Sequence, residues 1–334
     1  MSLDDELAEL TTVAELQEAL KRAHRQVRKY KAQSDEIVEA VYRAAKDAAR
    51  ATPPGKAVAL PRDKRKGKAE VALVHATDWQ LGKKSVSYGM ETCAKRMEQL
   101  IEKVIQITDI QRAHHPVREC VLLLGGDLVE GIDIYPGQPW EIEAHLFEQL
   151  FETSRIIETM VRTLGANFEK LRVVCEYGNH GRIGRYGVSP KGDNIDLFAY
   201  RVARDRTKGV WADWQMSEAW YQIFEIGKYR GLLVHGDEVK SFGGNTPLFG
   251  IMRKVNSWAA GVIEPFTDAY MGHWHTPHSA TLANGGRVFV TGSPESHNEY
   301  AREFVAATSR PSQRLHFIDP EKGRVASEYV VWLD

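Results

Sequence analysis

Five short blocks carry residue types that hold metal ions: Thr77-Asp78-Trp79-Gln80, Gly125-Gly126-Asp127, Gly178-Asn179-His180, His235-Gly236-Asp237 and Gly272-His273-Trp274-His275. They bring the carboxylates of Asp78 and Asp127, the carboxamides of Gln80 and Asn179, and the imidazoles of His180, His235, His273 and His275. Carboxylate, amide oxygen and imidazole together suit divalent ions, and paired ions are a common means of cleaving phosphate esters. Singly, each block is weak. An Asp after a strand often caps a helix, Asn after Gly is a frequent turn residue, and a lone His is more often structural. Five blocks in order, each closing an apolar run, are hard to reach by chance.

The runs explain the placement. Residues 71–76, 121–124, 171–175 and 232–234 are apolar and rich in β-branched residues, so they read as strands. Ligands in α/β layers gather beyond the C-terminal ends of strands, where Asp78, Asp127, Asn179 and His235 fall. His273 and His275 are two apart, so an extended segment would put both on one face, one for each of two ions, with Trp274 on the other.

Between these runs, residues 93–110 and 141–164 have helical periodicity, which predicts a sheet covered by helices. After residue 220 the apolar runs crowd together (221–226, 231–234, 287–290, 315–318 and 327–331), which predicts a second, more antiparallel sheet packed on the first. The first 50 residues contain no Gly or Pro. Thr12 and Glu15 form a capping-box pattern, and Leu16, Leu20, Ala23, Val27, Tyr30, Ser34, Ile37, Val41, Ala44 and Ala48 alternate steps of four and three. Two readings stay open: a coiled coil that forms a homodimer, or one amphipathic helix on its own catalytic domain. Residues 51–69 hold Pro53-Pro54-Gly55 and a basic run, and read as a linker that either contacts a phosphate backbone or is merely solvated. The expected organisation is therefore an N-terminal helix over 1–50, a linker over 51–69 and a catalytic domain over 70–334.

Composition sets the class. The chain has 334 residues, 43% hydrophobic and 27% charged, with a formal net charge of −1, so nothing global draws it to nucleic acid or an anionic membrane. Three cysteines give no disulfide framework and favour a reducing compartment, with buried free thiols expected at Cys120 and Cys175. The acidic, helical N-terminus does not resemble a signal peptide and no run is long enough to span a bilayer, so a cytoplasmic location is expected.

The order Asp…Gly-Asp…Gly-Asn-His…His…Gly-His-x-His resembles the calcineurin-like metallophosphoesterase superfamily. The Gly292-Ser293-Pro294-Glu295 stretch beyond the last block leans toward its SbcD-type DNA-repair exonucleases. The resemblance covers about residues 70 to 300. It implies a four-layer α/β/β/α sandwich and two adjoining metal positions. Asp127 would bridge both ions; Asp78, Gln80 and His275 would complete the first position, and Asn179, His235 and His273 the second. His180 would bind no metal and would act on the substrate as acid or as transition-state stabiliser.

The chain departs from the family in three places. Gln80 stands where the family has His, and its amide oxygen is a harder, weaker donor than imidazole, which favours Mn²⁺ or Mg²⁺ over Zn²⁺, with Fe²⁺ also open. Only a short stretch follows residue 300, so a large DNA-capping domain is not expected. The N-terminal helical segment lies outside the family pattern.

The function so implied is two-metal phosphodiester hydrolysis, by in-line attack of a metal-bridging hydroxide on phosphorus. DNA is the expected substrate and partner, cut by exo- or endonuclease action. A small-molecule phosphodiesterase or phosphatase, for example on cyclic nucleotides, is the alternative, and a non-catalytic metal-binding scaffold the third reading. Arg182, Arg185 and Lys83 are expected to grip phosphate, and Trp79, Tyr135 and Trp140 offer faces for base stacking, although packing is the more ordinary use of Trp79 and Trp140.

Overall fold

The structure, a computed structural model, describes residues 18, 20–26, 28, 29, 43, 63–65, 67–135, 137–183, 190–240, 247–295 and 310–334. The chain divides into two compact units, Met1–Ala48 and Ala49–Asp334. The described residues of the first unit are helical. Most of the expected heptad seam, and most of the expected linker, lie outside the described residues. No helix among the described residues is long and apolar enough to cross a membrane.

The second unit is built on two sheets. The first has six strands in the order β11-β10-β1-β2-β3-β4, with β1 Glu70–Ala76, β2 Val117–Leu124, β3 Lys170–Cys175, β4 Ala212–Met216, β10 Ser312–Asp319 and β11 Arg324–Trp332. Strands β1 to β4 are parallel, and β10 and β11 extend the sheet antiparallel. β1 is buried along its whole length, as the continuous apolar run of a central parallel strand requires. The second sheet has the order β5-β6-β7-β9-β8, with β5 Gln222–Ile226, β6 Tyr229–Leu233, β7 Asp268–Met271, β8 His278–Thr281 and β9 Arg287–Val290.

The sheets face each other. Leu73, Val121, Leu123 and Val174 of the first pack in one core with Phe224, Tyr229, Leu233, Tyr270 and Phe289 of the second. Helices α1 Met90–Arg112, α2 Leu146–Asn167 and α3 Ile195–Arg206 belong to the first sheet's outer side, where α1 buries Cys93, Met97, Leu100, Ile101 and Val104. Helix α4 Leu248–Ser257 covers the second sheet, with its Ile251 and Val255, and Trp258 just beyond its end, against Leu232, Val234, Met271 and Val290. The result is the four-layer α/β/β/α sandwich. All three cysteines are buried and free.

Two expectations are corrected. The runs at 315–318 and 327–331 join the first sheet rather than the second, because β10 pairs along β1 with Leu315 opposite Val74. The second sheet, expected to be the more antiparallel one, is evenly mixed: β5–β6 and β8–β9 pair antiparallel, while β6–β7 and β7–β9 pair parallel.

Candidate metal centre

Register brings the blocks together. Ala76 pairs with Leu124 and Leu124 with Cys175, so the first three blocks leave neighbouring parallel strands at one level. In the second sheet Leu233 pairs with Tyr270, and the Gly272 amide donates to the His235 carbonyl at 2.9 Å. The two sets meet across the sheets, where His235 Nδ1 lies 2.9 Å from the Gly125 carbonyl.

At this junction the backbone is unusual. Asp78, Gln80, Asp127, His273 and His275 all adopt left-handed conformations, with φ of 54°, 45°, 50°, 65° and 52°. Non-glycine residues rarely accept this region, and they do so mainly where surrounding structure enforces it at functional sites. The His-Trp-His segment is therefore turned rather than extended, which corrects the pleat expected for it. His273 still reaches the His235 ring at 5.1 Å between centroids, while His275 Nε2 lies 3.5 Å from Asp78 Oδ1. Trp274 packs outward against the α4 core. Gly126, with φ of 86°, and Gly178 stand back to back: a Cβ on Gly126 would strike the Gly178 backbone, and one on Gly178 would strike Asp127. Only glycine lets these two loops close.

Asp127, His235 and His273 offer ligand atoms all within 4.8 Å of one another. Asn179 joins them, its Oδ1 3.2 Å from His235 Nε2, and Asp127 Oδ2 is 3.0 Å from the same nitrogen. Because the Gly125 carbonyl only accepts, His235 Nδ1 carries a proton and Nε2 is the atom turned to Asp127 and Asn179. Two oxygens converging on an imidazole nitrogen need a cation, either a proton or a metal. Burial pulls the His235 pKa down, but Asp127 outweighs it and holds it well above the ordinary value. Burial and the neighbouring His235 push His273 down to about 4, so its lone pair is free at neutral pH. Two imidazoles, a carboxylate and an amide oxygen fit a divalent ion.

The other half of the site departs from the expected donor set. Asp78 accepts the His273 amide on both oxygens, at 2.9 and 3.0 Å, and faces His275. Gln80 Nε2 lies 3.3 Å from His275 Nε2, while Gln80 Oε1 lies 3.4 Å from Lys83 Nζ. Lys83, expected to grip phosphate, is instead buried and ion-paired with Glu295 Oε1 at 2.7 Å. Glu295 Oε2 is 3.4 Å from His275 Nδ1. Burial lowers the His275 pKa, but Asp78 and Glu295 prevail and raise it to about 10.

His180 sits on Asp127: its backbone amide donates to Asp127 Oδ1 at 2.7 Å. Its Nδ1 donates to the Glu130 carbonyl at 2.9 Å, with the buried Glu130 carboxylate 3.4 Å away. Burial depresses the imidazole, but Asp127 and Glu130 overcome it and hold the pKa up at about 9.

Among the expected substrate residues, Trp79 is fully buried, so its ring has no face for a base. Trp140 is 90% exposed, against the packing role expected for it. Tyr135 stands edge-on to the His180 ring at 6.3 Å. Arg182 donates to the carbonyls of Asn179 and Ile134, at 3.0 and 2.9 Å, and so braces the loop. Arg185 lies outside the described residues.

Sequence reasoning missed the residue that binds the loops together. Asp196, buried in the first turn of α3, accepts from the amides of Asp127 (2.9 Å) and Gly178 (3.0 Å) on one oxygen. Its other oxygen accepts from Leu128 (3.1 Å) and Val129 (3.3 Å). The available signal was Asn194-Ile195-Asp196, a helix start with two capping-type residues, which gives no hint of the loops it reaches. Gln313 does the same for the first block, holding the amide and carbonyl of Thr77 at 2.7 and 3.1 Å.

No family model matches the chain, and no curated protein sequence matches it. Similar solved structures include zinc-bound wild-type Vps29 from Entamoeba histolytica, 13% identical with a TM-score of 0.34, covering 79% of this chain and 99% of that one. A predicted phosphoesterase from Streptococcus pneumoniae is 13% identical with a TM-score of 0.30, covering 79% and 99%. The sulfate thiohydrolase SoxB from Thermus thermophilus is 10% identical with a TM-score of 0.36, covering 83% of this chain and 58% of that one.

Proposed function

We propose that this protein is a metal-dependent phosphodiester hydrolase of the calcineurin-like type. The observation that carries the reading is the meeting of Asp127, Asn179, His235 and His273 from two facing sheets, with His180 fixed on the same carboxylate. Those four residues would hold a divalent ion, Mn²⁺ being the one expected, and it would polarise phosphoryl oxygens and acidify water.

The chain supplies the rest. With Nδ1 committed to the Glu130 carbonyl, His180 keeps Nε2 for the substrate. Glu130, beside its Nδ1 and outside the metal ligands, favours its protonated form. An imidazolium in that place donates its Nε2 proton to the departing oxygen as the ester bond breaks. The short bond from the His180 backbone to Asp127 keeps that acid beside the metal position, which is the positioning such a reaction needs.

DNA is the substrate we infer. The Gly292-Ser293-Pro294-Glu295 continuation and the basic Arg185 of the loop after His180 support it. Three buried free thiols suit a reducing, cytoplasmic setting. We read the N-terminal segment as a dimerising helix, which light scattering of the full chain tests.

The deciding experiment assays purified protein with Mn²⁺ on linear duplex DNA, single-stranded DNA, cyclic nucleotides and a chromogenic bis-ester. Degradation of DNA that stops in chelator is expected. Cleavage of the small esters alone would replace the nuclease with a small-molecule phosphodiesterase. Bound metal with no turnover on any of them would make the protein a scaffold.

A further inference from the structure

A lysine reaches the Gln80 amide, an expected ligand of the first metal position. We propose that Lys83 claims the Gln80 amide oxygen, so that the centre takes one divalent ion, at Asp127, Asn179, His235 and His273. The inference rests on the reading of that second position as a metal site.

The geometry around Gln80 carries it. Lys83 Nζ lies 3.4 Å from the Gln80 amide oxygen and 2.7 Å from Glu295 Oε1, and its side chain is 10% exposed. An ammonium has three donors and no acceptor, so the Gln80 atom facing it has to be the oxygen. Turning the amide over would set an NH₂ against the ammonium. The oxygen expected to bind metal is thus turned to Lys83. An amide NH₂ has no lone pair to give an ion. The first position is left with Asp78, His275 and a share of Asp127. Among the described residues, the one cluster of three His, Cys, Asp or Glu ligands that meets around a point is Asp127, His235 and His273.

Glu295 joins Lys83 to His275, with one oxygen on Lys83 and the other 3.4 Å from His275 Nδ1. Gln80, Lys83, Glu295 and His275 therefore form one connected group.

The test is metal stoichiometry. Full-length protein is saturated with Mn²⁺ or Zn²⁺, freed of unbound ion, and measured by elemental analysis and native mass spectrometry. One ion per chain is expected, rising to two in the Gln80→His, Lys83→Ala double variant. If that variant fails to fold, single variants of the ligands decide. His235→Ala should lose the ion altogether and His275→Ala should keep it. Two ions in the wild-type chain, or loss of one of two in each histidine variant, would overturn this proposal and leave the hydrolase reading intact. No bound ion at all would overturn both.

Discussion

The backbone amide of His180 is bonded to Asp127 Oδ1 at 2.7 Å, so the candidate acid is tied to a candidate metal ligand through its main chain rather than its side chain. Truncating the imidazole leaves that bond in place. His180→Ala should keep its metal content and lose roughly 10²- to 10⁴-fold in kcat, the usual worth of a positioned acid. Elemental analysis and steady-state kinetics on the same preparation check this; unchanged turnover would remove His180 from the reaction.

Asp196 is the second point of control. Four backbone N–H groups converge on its two oxygens, so an Asn amide must turn its NH₂ toward donors in either orientation. Asp196→Asn should destabilise the fold by about 1–3 kcal/mol, the cost of orphaned buried groups. It should also weaken metal binding, since Asp127 and Gly178 lose a common anchor. Denaturant unfolding and a metal titration measure the two effects separately.

The two control points differ in how readable they are. Asp78, Asp127, Asn179, His235, His273 and His275 stand out in the sequence because residues of ligand type follow apolar strands there, and the structure brings those strand ends together. Asp196 was not, because it contacts main-chain amides, which any residue supplies, so its partners leave no mark in the sequence. Lys83 was read as a substrate contact because a basic residue beside a motif suggests phosphate; its burial against Glu295 depends on an approach between residues more than 200 positions apart. The same distance hid the true sheet of β10 and β11. Alternation shows that a segment is a strand, but the pairing of Leu315 with Val74 is decided by packing far along the chain.

Trp79 gives a contrast between packing and binding. It is fully buried, so Trp79→Ala should cost about 3–5 kcal/mol through the cavity it leaves. The milder Trp79→Phe should lower the melting temperature while leaving the KM of any ester hydrolysis unchanged at 25 °C. A rise in KM without loss of stability would restore the stacking role.

Protonation and metal binding should be linked in a definite direction. In metal-free protein His180 and His275 have pKa values raised to about 9 and about 10, above the ordinary 6.5. Groups raised in the folded state add stability that is complete below 6.5 and is lost as pH climbs through the raised values. The chelated protein should therefore melt at a lower temperature at pH 10 than at pH 7. His235 is also raised, so an ion entering beside it must displace a proton. Calorimetry of Mn²⁺ binding at pH 7.5 in two buffers of different ionisation enthalpy should report proton release, and affinity should fall as pH is lowered.

The left-handed backbone at Asp78, Gln80, Asp127, His273 and His275 sets a conflict that glycine resolves only in part. Glycine relieves the turn, but at Asp78 and Asp127 it strands the backbone amides of His273 and His180, whose bonds those carboxylates accept. Glycine should therefore lower the melting temperature more at Asp78 or Asp127 than at Gln80, which a comparison of the single variants reads.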